Sequence, residues 1–207
     1  MTTKNEIIDA DWSKLRLKDR IRRGLGVLFV GINPGVRSAI TGHHFAGYSN
    51  RFWKLLNDSR LVPEPITYEN DDRLPEWGLG ITNLIARPSP GINDLRPVEY
   101  LEGWKTLDAK IRRYRPEIVA LVGVTLYRAI LPLLASGAPP PKPRSTSATH
   151  ADTRSNVIGP QPVKIHGARL FVLPNPSGRN ANFTYGEMLE AFAQLRRWTE
   201  QARAKNE

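Results

Sequence analysis

Val27, Leu28, Phe29 and Val30 form an unbroken apolar run that stops at Gly-Ile-Asn-Pro-Gly, residues 31–35. Four apolar residues without polar alternation predict a strand buried on both faces. Similar runs at 117–123 and 169–173, and a less continuous one at 79–85, predict three more strands. Helical periodicity fills the intervals. Residues 49–56 predict a helix with Ser49 at its N-cap and Phe52, Leu55 and Leu56 on one apolar face. Over 97–113, Tyr100, Leu101, Trp104, Leu107 and Ile111 recur at helical spacing as a buried stripe. Further helices are predicted at 125–134 and 185–204, the last turning Leu189, Phe192 and Leu195 toward the sheet. Residues 9–23 read as a lead-in with one or two helical turns. Residues 36–48 read as a loop, and 57–78 as a polar, Pro-interrupted connection with about one helical turn. Strands alternating with helices predict a parallel α/β sandwich in one domain spanning 1–207.

One stretch breaks the pattern. Residues 137–161 begin Gly-Ala-Pro-Pro-Pro-Lys-Pro-Arg and continue in Ser, Thr, Ala and His. Such a composition buries too little to offset its ordering entropy, so it predicts a flexible Pro-rich insert.

Composition narrows the chemistry. The chain has 207 residues, enough to bury a sizeable core, and no cysteine. Disulfides, thiolate zinc sites, cysteine nucleophiles and cysteine-held iron–sulfur clusters are excluded. Thirty basic residues against 20 acidic ones give a formal charge of +10, which favours a polyanionic partner such as nucleic acid. Lys14, Arg16, Lys18, Arg20, Arg22 and Arg23 cluster in the lead-in, either to track phosphates or as a solvated face. No long apolar run or signal peptide is visible, so an intracellular, soluble protein is expected. His43 and His44 are adjacent, alternate in direction and have no nearby carboxylate in sequence, so no metal site is expected.

The candidate chemistry sits at strand ends. Pro34 disfavours helix at Asn33, and Gly31 and Gly35 permit a tight turn or close approach to a ligand. Asn33 is thereby expected just past the carboxyl end of a central strand, where open α/β sheets bind ligands. Its amide carries one fixed donor end and one fixed acceptor end and does not titrate. An Asn chosen for turn geometry alone is the competing reading. Phe45, in a Gly-bounded loop, either stacks on a planar ligand such as a base or plugs the core. Asn83, at the end of the 79–85 strand, either faces the same pocket or caps the strand with a hydrogen bond. A second rigid loop, Pro174-Asn175-Pro176-Ser177-Gly178-Arg179-Asn180-Ala181-Asn182, follows the last strand. Two such loops on one sheet edge, with a basic surplus, suggest an enzyme acting on nucleic acid.

Several motifs carry a family resemblance. Gly31-Ile32-Asn33-Pro34-Gly35, Gly42-His43-His44-Phe45 and Asn50-Arg51-Phe52-Trp53 resemble the mismatch-specific uracil/thymine DNA glycosylases of the uracil-DNA glycosylase superfamily. Gly80-Ile81-Thr82-Asn83, Gly159-Pro160-Gln161-Pro162 and Leu173-Pro174-Asn175-Pro176-Ser177-Gly178 extend the match over roughly residues 25–197 outside the insert. The resemblance implies a three-layer sandwich with a central, mostly parallel sheet. It implies that Asn33 is catalytic, holding the water that attacks the sugar carbon C1′, and that Phe45 stacks on the flipped base. Ile32, Gly35, Ser38, His44 and Asn83 complete the implied base-binding set. Asn175, Ser177, Gly178 and Arg179 form the implied DNA-binding wedge, with Arg179 filling the gap left by the extruded base. Arg179 and the His43-His44 pair resemble the vertebrate thymine-excising branch, in which a tyrosine stands where this chain has Phe45. The implied partner is double-stranded DNA with a mismatched or damaged pyrimidine, bound by a monomer without cofactor or metal.

Overall fold

The computed structural model describes residues 11–136 and 157–203. Five strands form one sheet among them: β1 (Val27–Gly31), β2 (Leu79–Asn83), β3 (Ile118–Val122), β4 (Gly159–Ile165) and β5 (Ala168–Leu173). Their order is β2-β1-β3-β5-β4. β1 pairs in parallel with β2 and β3, β3 pairs in parallel with β5, and β4 runs antiparallel to β5 at the edge. The helices are α1 (Val36–Thr41), α2 (Phe52–Asp58), α3 (Pro97–Tyr114), α4 (Val124–Ser136) and α5 (Tyr185–Arg203). None of the described helices is long and apolar enough to cross a membrane.

The two-residue period of the strands divides the core. Val27, Phe29, Ile81, Ile118, Ala120 and Phe171 point to one face, where they meet Phe52, Leu55 and Leu56 of α2 and Met188, Phe192 and Leu195 of α5. Leu28, Val30, Val119, Leu121, Leu170 and Val172 point to the other, against Tyr100, Leu107 and Ile111 of α3 and Leu126 and Ile130 of α4. Helices therefore cover both faces and the fold is a three-layer α/β sandwich. The continuous apolar runs of β1 and β3 follow from burial on both faces.

The structure corrects several expectations. Residues 36–41 are helix α1, begun at Gly35 without a side-chain cap and closed by Gly42 at φ 77°. That helix lacks a polar cap and an acidic residue in its first turn, so the sequence carries little start signal. Helix α2 starts at Phe52 with Arg51, not Ser49, at the N-cap; Asn50 Oδ1, one residue further out, accepts from the Phe52 N–H at 3.0 Å. The 57–78 connection carries a ten-residue 3-10 stretch, Tyr68–Trp77, kinked at Asn70. The lead-in has one short 3-10 turn, Trp12–Lys14, and a bridge from Arg20 to Ile81.

Most of the expected insert, 137–156, lies outside the described residues. Its last part does not behave as an insert: Gly159, Pro160 and Gln161 already belong to β4. Two prolines argue against a central strand, but an edge strand needs no ladder donor on its open side. The register slips between Gln161 and Lys164, around the second proline.

Candidate nucleic-acid interface

Carboxyl ends of β1, β2, β3 and β5 converge on a cleft of about 650 Å³. Asn33 is held there by its nitrogen. Nδ2 donates to Ser89 Oγ at 2.8 Å, to the Pro34 carbonyl at 3.1 Å and to the Arg87 carbonyl at 3.2 Å. The Ser89 hydroxyl spends its only hydrogen on the Gly91 carbonyl at 2.7 Å, so toward Asn33 it can only accept. Three acceptors on one side demand the NH₂ end of the amide. Oδ1 is left toward the cleft with no donor among the described residues.

The loop that accepts Asn33 is itself tied down. Ser89 N–H donates to the Pro34 carbonyl at 3.1 Å, and Leu84 and Ile85 N–H donate to the Gly31 and Ile32 carbonyls at 2.9 and 2.8 Å. Arg87 grips Glu99 through two bonds, Nε–Oε1 at 2.7 Å and Nη2–Oε2 at 2.9 Å. Glu99 Oε2 also accepts from the Arg96 N–H at 2.8 Å, closing the first turn of α3. The Arg87 guanidinium pulls the Glu99 carboxyl down to about 2, against the opposing effect of its burial.

Beside Asn33 lies a pocket floored by Phe45. Phe45 sits at φ 53°, a left-handed conformation costly for a bulky residue. Its neighbours enforce it. His44 N–H donates to Asp71 Oδ2 at 2.8 Å, Trp53 Nε1 donates to the His44 carbonyl at 3.0 Å, and Ala46 N–H donates to Ser38 Oγ at 3.1 Å. Asp71 is fully buried and is further held by Arg20 Nε at 2.8 Å. The Phe45 ring stacks on Phe52 with centroids 4.1 Å apart and 21° between planes. It is only half-buried and lines the cleft, so plugging the core and presenting a face to a ligand are compatible roles.

His44 orients Asn83. His44 is 1% exposed, and burial lowers its pKa to about 4, outweighing the Asp71 charge that would raise it. The ring is therefore neutral near pH 7. Nε2 faces the Lys18 carbonyl at 3.1 Å, an acceptor, so Nε2 carries the proton. Nδ1 is then an acceptor and takes a long bond from Asn83 Nδ2 at 3.4 Å. Asn83 Oδ1 points at Gly31, where an added Cβ would lie 2.5 Å away and also 3.4 Å from Phe45 Cζ. A side chain at 31 would have to push the Asn83 amide from this position. Asn83 thus offers an acceptor and one spare N–H side by side at the edge of the pocket.

The loop after β5 forms the opposite wall. Its carbonyl at Pro176 accepts from the Arg51 N–H at 2.9 Å. Gly178 lies on Ser49 so closely that any Cβ would clash with the serine side chain and carbonyl. Within the loop, Asn175 Oδ1 accepts from the Ser177 N–H at 3.1 Å, and Ser177 Oγ accepts from the Arg179 N–H at 3.3 Å. Arg179 stands exposed at the tip, its guanidinium unbonded to any described residue.

The fold brings Ile32, Asn33, Gly35, Ser38, His44, Phe45, Asn83, Asn175, Ser177 and Arg179 to one cleft. Gly178 is the expected residue that does not line it; it supports the wall from behind, on Ser49. The Ser38 hydroxyl is occupied in bracing Ala46. His43 turns away to Asp71 at 3.1 Å. Of the basic lead-in, Arg20 is spent inward on Asp71, while Arg22 stays exposed and donates to the Pro75 carbonyl. Sequence reasoning missed Ser89, Arg87 and Glu99. The Arg87-Pro88-Ser89-Pro90-Gly91 loop was a signal, being a third Pro/Gly loop on a strand end, but nothing local links it to Asn33.

Comparison with known proteins agrees with this layout. The description of the uracil DNA glycosylase superfamily matches residues 19–198. Over 160 residues, 76% of this chain, the sequence is 41% identical to the G/U mismatch-specific uracil DNA glycosylase of Schizosaccharomyces pombe. The match spans 45% of that protein, so the chain covers about half the length of this relative. A solution NMR structure of a Methanosarcina acetivorans protein assigned to the uracil DNA glycosylases superposes with a TM-score of 0.55. That likeness covers 90% of this chain and 98% of the other at 15% identity, and it bears on the fold alone.

Proposed function

The chain belongs to the uracil DNA glycosylase superfamily, and we propose that it removes uracil from G·U mismatches in DNA by hydrolysing the N-glycosidic bond, with Asn33 holding the attacking water. The observation that carries this reading is the orientation of Asn33. Its nitrogen is locked on Ser89, Arg87 and Pro34, which leaves Oδ1 to accept a hydrogen bond from a water in the cleft. The name of the Schizosaccharomyces pombe relative supports the substrate.

The proposed steps are these. The target sugar carbon is unreachable inside a duplex, so the nucleotide is extruded at a cost of a few kcal/mol, lowest at a mismatch. Arg179, free at the wedge tip, enters the gap and bonds the widowed guanine. The base slides over Phe45, and its neighbouring N3–H and O4 meet the acceptor and donor of Asn83. Departure of the base puts positive charge on the sugar and negative charge on the ring, and backbone donors near Ile32 and Phe45 stabilise the latter. The water oxygen bonds to C1′, the C1′–N1 electrons leave with the base, and the water's proton passes to it or to solvent. An amide orients water but is a weak base, so the reaction is slow beside that of glycosylases with Asp in this motif. Neither the 31–35 loop nor the 174–182 loop holds a lysine, so the reading is monofunctional hydrolysis without a Schiff base.

The test is single-turnover excision on labelled duplexes carrying G·U, G·T and A·U, and on single-stranded uracil, for wild type and Asn33→Ala. Cleavage of G·U after alkali, lost in the variant, is expected. Equal cleavage of every uracil substrate would make the enzyme a broad uracil glycosylase. Tight binding without cleavage would make it a lesion-binding protein. A borohydride-trapped adduct would overturn the monofunctional mechanism.

A further inference from the structure

Tyr48 is 74% exposed, far more than any other large apolar side chain that reaches the surface among the described residues. It stands between Gly47 and Ser49, both of which line the cleft. One face of its ring lies on the Arg37 guanidinium, whose Cζ is 3.7 Å from the ring centroid. Arg37 is not free to leave. Its Nε donates to the Ala46 carbonyl at 2.7 Å and Nη2 to the Tyr68 hydroxyl at 3.3 Å. Its Nη1 is buried with no hydrogen-bond partner, and no carboxylate pairs with the guanidinium among the described residues. A fixed cation thus backs one face of an aromatic ring whose other face is open.

We propose that Tyr48, backed by Arg37, is a stacking platform for a nucleobase that flanks the extruded one. The proposal rests on the glycosylase reading above. The place of Tyr48 fits it. The Gly178 contact to Ser49 and the Arg51 bond to the Pro176 carbonyl weld the Tyr48 loop to the Arg179 loop, so both side chains stand on one rim. Extrusion removes a stacking partner from each neighbouring base, and an aromatic face at the rim supplies a replacement. The cation beneath draws electron density from the ring, which weakens repulsion between its outer face and the face of a base. Any of the four bases has such a face, so the platform carries affinity without adding sequence preference.

The experiment uses a duplex with a tetrahydrofuran abasic analogue opposite guanine and 2-aminopurine at either flanking position. Emission and affinity are read for wild type, Tyr48→Phe, Tyr48→Trp and Tyr48→Ala. Tyr48 is exposed, so its variants fold. Wild-type binding is expected to change emission at one flank. Phe and Trp variants should retain the change, whereas Tyr48→Ala should lose it and bind about tenfold more weakly. Unchanged emission in Tyr48→Ala overturns the proposal. So does a Phe variant as weak as Ala, which would assign the contact to the hydroxyl and a phosphate. Binding with the Tyr48-dependent emission but without uracil excision sinks the glycosylase reading and leaves the platform standing. Excision without that emission sinks the platform alone, and no binding of the duplex overturns both.

Discussion

The Asn33 amide nitrogen donates to Ser89 Oγ at 2.8 Å, across 56 residues of chain. Through that bond a loop with no chemistry of its own decides which end of the catalytic candidate faces the cleft. Ser89→Ala removes one of three restraints on the amide. A loss near 1 kcal/mol, the usual net worth of a hydrogen bond, should slow single-turnover excision about fivefold. Affinity for an abasic duplex should stay within about twofold of wild type. Equal losses in rate and affinity would show that Ser89 shapes the DNA surface instead.

Asn33→Asp should not make a faster enzyme. A carboxylate there would face the Pro34 and Arg87 carbonyls and a serine hydroxyl already committed to Gly91. With acceptors all round, the acid is held protonated to higher pH than an ordinary Asp. Excision by this variant should rise with pH through a midpoint above the usual carboxylate range. A flat profile from pH 5 to 8 with a rate above wild type would refute the orientation assigned to the amide.

His44 gives the fold a pH dependence. Its pKa falls from an ordinary 6.5 to about 4 in the folded state, mainly through burial, with Arg20 acting the same way and Asp71 and Asp19 opposing. The unfolded chain therefore takes the proton first as pH drops. Stability is complete above about pH 6.5 and is lost as pH falls toward 4, by about 2 kcal/mol between pH 7 and pH 5. Urea midpoints at the two pH values should show that loss. In His44→Gln, which keeps an N–H for the Lys18 carbonyl, the difference should nearly vanish.

Glu99 acts in a lower window. Its folded pKa of about 2 against an ordinary 4.5 means that the Arg87 pair stabilises above pH 4.5 and is lost as pH falls toward 2. Arg87 is about one-third exposed, so water screens part of the interaction. Glu99→Gln should cost about 1–2 kcal/mol at pH 7 and progressively less below pH 4. Thermal melts across that range measure it.

At the wedge, Arg179→Ala should slow excision from G·U duplexes more than from single strands, where no base needs extruding. An equal loss on both would mean that Arg179 only grips phosphate. Gly178→Ala forces a methyl into Ser49 and should mimic the duplex defect although Arg179 is intact. Rates on paired duplex and single-strand substrates check both.

Much of the molecule is legible from local pattern. Strands β1 and β3 announce themselves because a strand buried on both faces is apolar at every position, and α3 and α5 because one face of each is buried. Helix α1 and strand β4 did not. One has no side-chain cap, and the other carries two prolines that only an edge position tolerates. As candidates, Asn33 and Phe45 stand out because they sit in Gly- and Pro-bounded loops at strand ends, and Arg179 through the family resemblance alone.

The sequence by itself determined the layer architecture, the loops that carry the chemistry and the positive charge, since these depend on residue type and on neighbours within a turn or two. Only the tertiary structure decided orientation. Which end of Asn33 faces the cleft is set by Ser89 and Arg87, which end of Asn83 does so by His44, and the left-handed turn at Phe45 by Asp71 and Trp53. An amide reads the same in sequence whichever way it points. Its direction is chosen by donors and acceptors that are remote along the chain and become neighbours only when the sheet closes.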